Sequence, residues 1–462
     1  MAEDQEYVDR ILPLFNELVH LKHIVVIDYQ GMFMYEHSSL IPYETLMQDG
    51  KQHHRSNAGA FEKIVRQVKM RNVKFVNQGA NRYVVGNVDQ YDQKNEMFKR
   101  PFWDPEMLEL GKRFYFTPVM PKDKPGYRLS DMALTNASWR LEMEYAAGVR
   151  GGRTGFYGWD WNGQFSYPRV APGLKISTDD ADAVTRQVKK AAGFFGASLV
   201  GVCELDRRWI YSAAYLLTAE GGKDIDNNVP EEIKYAIAIA VEMDYNAIKY
   251  SPSAPASTAV GLGYSKMAFT TGLLAQYIRG LGYQAIPCGN DTACSIPIAI
   301  DAGLGEMARN GLLITPEFGP RVRLAKVLTD LPLIPDRPIE FGVWDFCRIC
   351  EKCAKKCPSK SIMFGDPTDE PHNLSNRKGV MTWHINAETC LGFWADNQTD
   401  CSNCIRTCPF NKPAGILHDG VRWGINNTPW LNKFFLWGDE LFGYGKRENS
   451  DEFWKMCTLQ TD

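Results

Sequence analysis

Eight of the twelve cysteines of this 462-residue chain lie between Cys347 and Cys408, in two runs. The first reads Cys347-x2-Cys350-x2-Cys353-x3-Cys357-Pro358, the second Cys390-x10-Cys401-x2-Cys404-x3-Cys408-Pro409. Thiolates three residues apart around a tight turn can meet three corners of one cubane cluster, while the cysteine before the proline points to a neighbouring cluster. The spacing therefore predicts two [4Fe-4S] clusters with crossed wiring. Cluster 1 takes Cys347, Cys350, Cys353 and Cys408; cluster 2 takes Cys357, Cys401, Cys404 and, across the longer gap, Cys390. Structural zinc is the four-thiolate alternative, but a zinc pair is usually built from separate two-cysteine knuckles. A disulfide framework is not needed by a chain long enough to bury its own core. Such a chain moves electrons.

The rest of the composition frames a globular enzyme: 44% hydrophobic residues and a net charge of -3. Two or three domains are expected at this length. Near-neutral charge argues against a general nucleic-acid footprint. No apolar stretch has the length to cross a bilayer, and the N-terminus shows no export signal. The chain is thus expected to work where it is made, unless a leader has been removed. Cys203, Cys288, Cys294 and Cys457 show no metal spacing and read as small buried hydrophobes or a lone surface thiol.

Pattern shifts suggest four regions. Residues 1-170 form an N-terminal unit wrapping the core, ending in the Gly- and aromatic-rich stretch from Gly151 to Trp161, read as a long loop whose aromatics line a substrate channel or pack on a neighbour. Residues 171-335 are the regular α/β part, an open sandwich of helices and sheet. There Thr178-Asp179-Asp180 caps a helix with Val184, Val188, Ala191 and Phe195 on one stripe; Ser198–Cys203, Ala236–Val241 and Tyr283–Pro287 read as strands, and a helix runs from about Tyr264 to Ile278. A polar, glycine-containing surface insertion interrupts this part near 211-232. The cysteine module occupies 336-412, and an irregular segment, 413-462, packs back on the core.

Gly289-Asn290-Asp291-Thr292, Ala302-Gly303-Leu304-Gly305-Glu306, the stretch from Ile314 to Leu324 and Phe341-Gly342-Val343 leading into Cys347 together resemble the catalytic subunit of the respiratory, corrinoid-dependent reductive dehalogenases. The resemblance runs from about Asp180 to Gly445. It implies an α+β or α/β fold: a nitroreductase-like cobalamin-binding core beside a bacterial ferredoxin-like module, with the corrinoid held base-off. The absence of an Asp-x-His-x-x-Gly signature agrees with cobalt that no histidine ligates. It further implies a proton-donor tyrosine at Tyr264, a supporting arginine at Arg323, an active-site asparagine at Asn290 and a pocket-lining tryptophan at Trp394. Corrinoid contacts are not resolved at this level.

These residue types suit the implied reaction. Replacing a carbon-bound halogen by hydrogen needs two electrons and a proton. A phenol is a poor acid at neutral pH, but a guanidinium nearby favours its phenolate, and arginine stays charged at any working pH. Asn290 can donate a hydrogen bond to the phenolate or the departing halide, and Trp394 can exclude water from an apolar pocket. The implied partners are a small organohalide, a low-potential electron donor and a small membrane-anchor protein, with no nucleic acid; a homodimer is left open. The implied location is the outer face of the cytoplasmic membrane, as a peripheral protein, if a twin-arginine leader has been removed, and otherwise the cytoplasm. Two other readings are an epoxyqueuosine reductase-like tRNA-modifying enzyme, which shares the core and the clusters, and an electron-relay subunit, which explains the cysteines but not the α/β core.

Overall fold

The computed structural model describes residues 73–146, 153–159, 170–171, 173–218, 221–413 and 415–455, with short stretches of the first 48 residues. Two compact units are present, Met1–Arg71 and Asn72–Asp462. In the first, Ile24–Val26 pairs in parallel with Leu40–Pro42. All else concerns the second.

Its strands of four or more residues are β1 (Leu199–Glu204), the hairpin β2 (Ala214–Thr218) and β3 (Gly221–Ile225), β4 (Tyr235–Glu242), β5 (Ala285–Cys288) and β6 (Val322–Thr329). The helices that matter for the site are α1 (Leu129–Arg140), α2 (Ala181–Phe194), α3 (Ala254–Gly280), α4 (Val343–Cys350), α5 (Ala387–Asn397), α6 (Ile416–Asn427) and α7 (Asn432–Leu441). The central sheet has the order β1-β4-β6-β5, and every pairing is antiparallel. No parallel crossover is therefore required.

The sequence Ala-Ile-Ala-Ile-Ala-Val in β4 explains the layering. Alternate residues of a strand face opposite sides. Ile237, Ile239 and Val241 pack with Val184 and Val188 of α2 and with Met267, Leu274 and Ile278 of α3. Ala236, Ala238 and Ala240 face the other layer, where Ile298 and Ile300 approach closely over the small side chains. The start of α2 is set by Asp180, whose carboxylate accepts from the Ala183 amide at 2.8 Å; Asp180→Ala should lower stability by about 1 kcal/mol, read from denaturant unfolding.

One feature differs from the sequence reading and two give it detail. α3 begins ten residues before Tyr264, at Ser253-Ala254-Pro255, so Tyr264 lies within the helix rather than at its start. Apart from Pro255, Val260 and the exposed Leu262, the added turns are made of Ala, Ser, Thr and Gly, most of them buried, which leave no 3.6-residue apolar stripe to read. The insertion near 211-232 folds as the β2–β3 hairpin, and Leu217, Thr218 and Gly221 line the main cavity. In the Gly-aromatic segment, Tyr157 is wholly buried and Phe156 packs on Gly272; its described residues, 153–159, contribute nothing to the cavity lining. Cys457 and the rest of that segment lie outside the described residues.

From the C-terminal segment, Asp439 of α7 bonds the buried Lys352 and Lys412 of the cysteine module, the latter at 2.6 Å. Among the described residues no helix is long and apolar enough to cross a membrane.

Candidate active site

A cavity of about 1860 Å³ opens between α1, α3, α5, the β2–β3 hairpin and the sheet end where β5 finishes and β6 begins. Ordinary small-molecule pockets span roughly 300–1,000 Å³, so this one has room for a macrocycle together with a small substrate.

Tyr264, Asn290, Arg323 and Trp394 all line it. α3 carries Tyr264, Asn290 follows the end of β5, and Arg323 is the second residue of β6. Because β5 and β6 are antiparallel neighbours, with Cys288 opposite Lys326, the residue after one strand and the residue opening the other lie at the same sheet end. The Asn290 amide donates to the Tyr264 hydroxyl at 3.0 Å, and the Arg323 guanidinium lies 4.9 Å from the Tyr264 ring centre. Lys326, fully buried, donates to the Gly289 carbonyl and fixes the turn that presents Asn290.

Trp394 belongs to an aromatic wall. Its ring centre lies 5.7 Å from that of Phe98 and 6.5 Å from that of Phe114. Phe114 lies in a π-helical turn, Lys112–Phe116, and a second π-helical segment, Leu141–Ala146, contributes Met143 and Glu144 to the lining. Such turns are rare and are frequent at functional sites. Sequence periodicity could not reveal them.

One corner of the cavity is polar. Tyr211 donates to Glu96 at 2.7 Å; burial raises the Glu96 carboxyl above its usual range. Burial also lowers the neighbouring Lys99 ammonium to about 8, against the pull of Glu96 and Asp291. On the module side, burial pushes Asp400 up to about 6, while Arg323 and a hydrogen bond from Ser257 pull it down. None of Glu96, Lys99, Asp400 or Trp139 was singled out by motif.

The lining fits a large ligand rich in hydrogen-bonding arms. Five buried polar atoms on cavity residues have no hydrogen-bond partner among the described residues: Arg323 Nε, Trp394 Nε1, Gln398 Oε1, Thr399 Oγ1 and Asp400 Oδ1. Leaving such groups unpaired costs about 1–3 kcal/mol each, and a corrinoid's peripheral amides can supply both donors and acceptors. Gln398 holds a left-handed φ of 61° at the end of α5, a conformation uncommon outside glycine and met at ligand sites.

The cysteines gather in two groups. Cys347, Cys350, Cys353 and Cys408 line one small void between α4 and Pro409-Phe410. Cys357, Cys390, Cys401 and Cys404 form the second group, with Cys390 and Cys401 both acting electrostatically on Cys404 and Cys357 on all three. Among the described residues no set of three or more His, Cys, Asp or Glu side chains is placed to hold a single metal ion. The first group instead surrounds a space. Burial pushes the Cys350 and Cys401 thiols up to about 11, so thiolates there need the positive charge of bound iron. The second group abuts the cavity, since the stretch from Cys390 to Cys401 also supplies Trp394, Gln398, Thr399 and Asp400 to its wall.

Arg309 ties the first group to the core. Only 1% exposed, it donates to the carbonyls of Cys347 at 2.8 Å, Met363 at 2.8 Å and Gly365 at 2.8 Å. Arg309→Leu takes a donor from each, although the Gly365 carbonyl keeps the Trp383 indole N–H at 2.9 Å, and should cost roughly 2–3 kcal/mol in denaturant unfolding.

Residues 346–412 match the family model described as a 4Fe-4S dicluster domain. The chain is 36% identical to a tetrachloroethene reductive dehalogenase of Sulfurospirillum multivorans over 364 residues, covering 73% of this chain and 72% of that protein. It belongs to the reductive dehalogenase family. A tetrachloroethene reductive dehalogenase of Desulfitobacterium hafniense is 37% identical over 389 residues, 71% of this chain and 70% of the relative. The solved catabolic reductive dehalogenase NpRdhA superposes with a TM-score of 0.61 at 23% identity over 82% of this chain, so the fold is shared; the chain spans about half of that protein, 50%. This reductive dehalogenase is accordingly an oxidoreductase whose mixed α/β core binds a corrinoid and whose separate module holds two [4Fe-4S] clusters. It replaces carbon-bound halogen by hydrogen, and its partners are a small halogenated substrate and an electron donor.

Proposed function

We propose that this reductive dehalogenase acts on small chlorinated ethenes, with Tyr264 as proton donor, Asn290 and Arg323 as its supports and Trp394 as a wall of the substrate chamber. The observation that carries the reading is the hydroxyl of Tyr264, held by Asn290 at 3.0 Å on the wall of a cavity faced by Phe98, Phe114 and Trp394. The relatives named as tetrachloroethene dehalogenases support the substrate class, and apolar aromatic walls suit a flat molecule with no hydrogen-bonding group.

The balance is one carbon–halogen bond broken and one carbon–hydrogen bond formed, for two electrons and one proton, with halide leaving. A corrinoid held by this lining would supply the two electrons. Tyr264 Oη gives the proton to carbon. Its oxygen then carries negative charge, and the Asn290 amide, already donating to it, makes a stronger, charge-assisted bond. Arg323 adds positive charge beside the ring without needing to move. The aromatic wall keeps water from competing as a proton source.

In the module, Cys347, Cys350, Cys353 and Cys408 are assigned to cluster 1, and Cys357, Cys390, Cys401 and Cys404 to cluster 2. Cluster 2 is the one nearer the cavity, which makes cluster 1 the entry point for a low-potential donor. Near-neutral charge supports small-molecule rather than nucleic-acid recognition. The likeness to respiratory dehalogenases supports a peripheral place at the outer membrane face, through a small anchor protein. Salt-released activity in the membrane fraction of the native host is the expected result; activity confined to the cytosol would overturn it.

The deciding test uses anaerobically purified protein, loaded with corrinoid, and reduced viologen. Chloride release from tetrachloroethene and trichloroethene, with about one cobalt and eight irons per chain, is expected. Release only from halophenols, or from none of the panel despite full metal content, overturns the substrate class.

A further inference from the structure

Tyr264 closes the sequence Gly261-Leu262-Gly263-Tyr264 in α3, and both glycines stand where a side chain could not. A Cβ at Gly261 would collide with Trp139 Cδ1 and Ser138 Oγ, and one at Gly263 would come within 2.9 Å of Arg323 Cγ. Helical positions advance by about 100° per residue, so the two bare patches lie on opposite flanks of Tyr264.

Each patch admits a different element. Over Gly261 comes α1, which lays the Trp139 indole on the Tyr264 ring at 4.8 Å between centres and 24° between planes. Past Gly263 comes β6, which brings the Arg323 guanidinium to 4.9 Å from the same ring. The approach of α1 is locked by hydrogen bonds: Ser265 donates to the Ser138 carbonyl at 2.6 Å, and Thr135 donates to the Ala254 carbonyl at 2.8 Å. Trp139 also lines the cavity.

We propose that Trp139 is a positioning residue for proton delivery: its indole and the Arg323 guanidinium clamp the Tyr264 ring from two sides, and Gly261 exists at its position to let the indole in. A phenol pivoting on two torsions swings its hydroxyl through several ångströms. The clamp removes that freedom and keeps Oη on the Asn290 amide and toward the cavity. A misplacement of about 1 Å at a reacting group can cost on the order of 10²-fold. The inference rests on Tyr264 as proton donor.

The test measures halide release by Trp139→Leu, Trp139→Phe and Gly261→Ala, each alone, and by Trp139→Leu combined with Tyr264→Phe, at matched iron and corrinoid content. Trp139→Leu should lower kcat about tenfold or more with KM changed by less than about twofold, and raise the solvent deuterium isotope effect as proton transfer becomes limiting. Trp139→Phe should recover most of the rate because it keeps an aromatic face. Gly261→Ala should reproduce the loss with the indole still present. In the Tyr264→Phe background Trp139→Leu should add nothing, since the group it positions is gone. A raised KM with kcat retained overturns the proposal, as does an undiminished effect of Trp139→Leu in the Tyr264→Phe background. If Tyr264→Phe alone runs at full rate, the proton-donor reading fails and the clamp with it; if only the Trp139 and Gly261 variants are silent, the clamp fails alone.

Discussion

Tyr264→Phe is expected to lower turnover by about 10²- to 10⁴-fold, the usual worth of a positioned general acid, while corrinoid and iron stay at wild-type levels. The substitution removes one oxygen and leaves the ring. The stack on Trp139 at 4.8 Å and the place beside Arg323 at 4.9 Å therefore persist, and the helix around the site, buried on nearly every side, has no reason to move. What changes is local: the Asn290 amide loses its acceptor and the cavity wall loses the hydroxyl it held. Halide release under reduced viologen, compared at equal cobalt content, checks the expectation. A variant at full rate removes Tyr264 from the reaction, and one that loses corrinoid assigns it to binding.

The site differs in how much of it could be read from sequence. The proposed cluster cysteines are legible because a cluster's ligands are largely local: Cys347, Cys350 and Cys353 need only one helical end and one turn to gather. The alternation in β4 and the stripe on α2 are legible for a similar reason, since each periodicity marks one buried face. Tyr264, Asn290 and Arg323 come from three elements, and nothing local announces them. They were found through a family resemblance, and the antiparallel sheet supplies the reason they meet. Trp139 escaped even that. α1 reads Leu-Ser-Asp-Met-Ala-Leu-Thr-Asn-Ala-Ser-Trp-Arg, without an apolar stripe, because it is held by hydroxyl hydrogen bonds and a close approach at Gly261. Packing through small residues hid the first turns of α3 in the same way.

Cys353→Ala is expected to halve the iron, from about eight to about four per chain, and to abolish turnover driven by an external donor. Cys353 stands on the wall of the same void as Cys347, Cys350 and Cys408, so its loss leaves three thiolates for a four-corner cluster. The remaining sulfurs are deeply buried, and burial, as the largest cause, pushes Cys408 up to about 12 and Cys350 to about 11. Without iron they revert to neutral thiols, and the site has no reason to hold a partial cluster. The second group of cysteines, which shares its stretch of chain with the cavity wall, should keep its iron and its electron paramagnetic resonance signal on chemical reduction. Electrons would then lack their entry point rather than their last step. Iron analysis separates the outcomes: loss of about four irons with the second signal intact supports Cys353 as a ligand of one of two separate clusters, loss of all eight makes the two clusters one folding unit, and an unchanged iron count removes Cys353 from the ligand set.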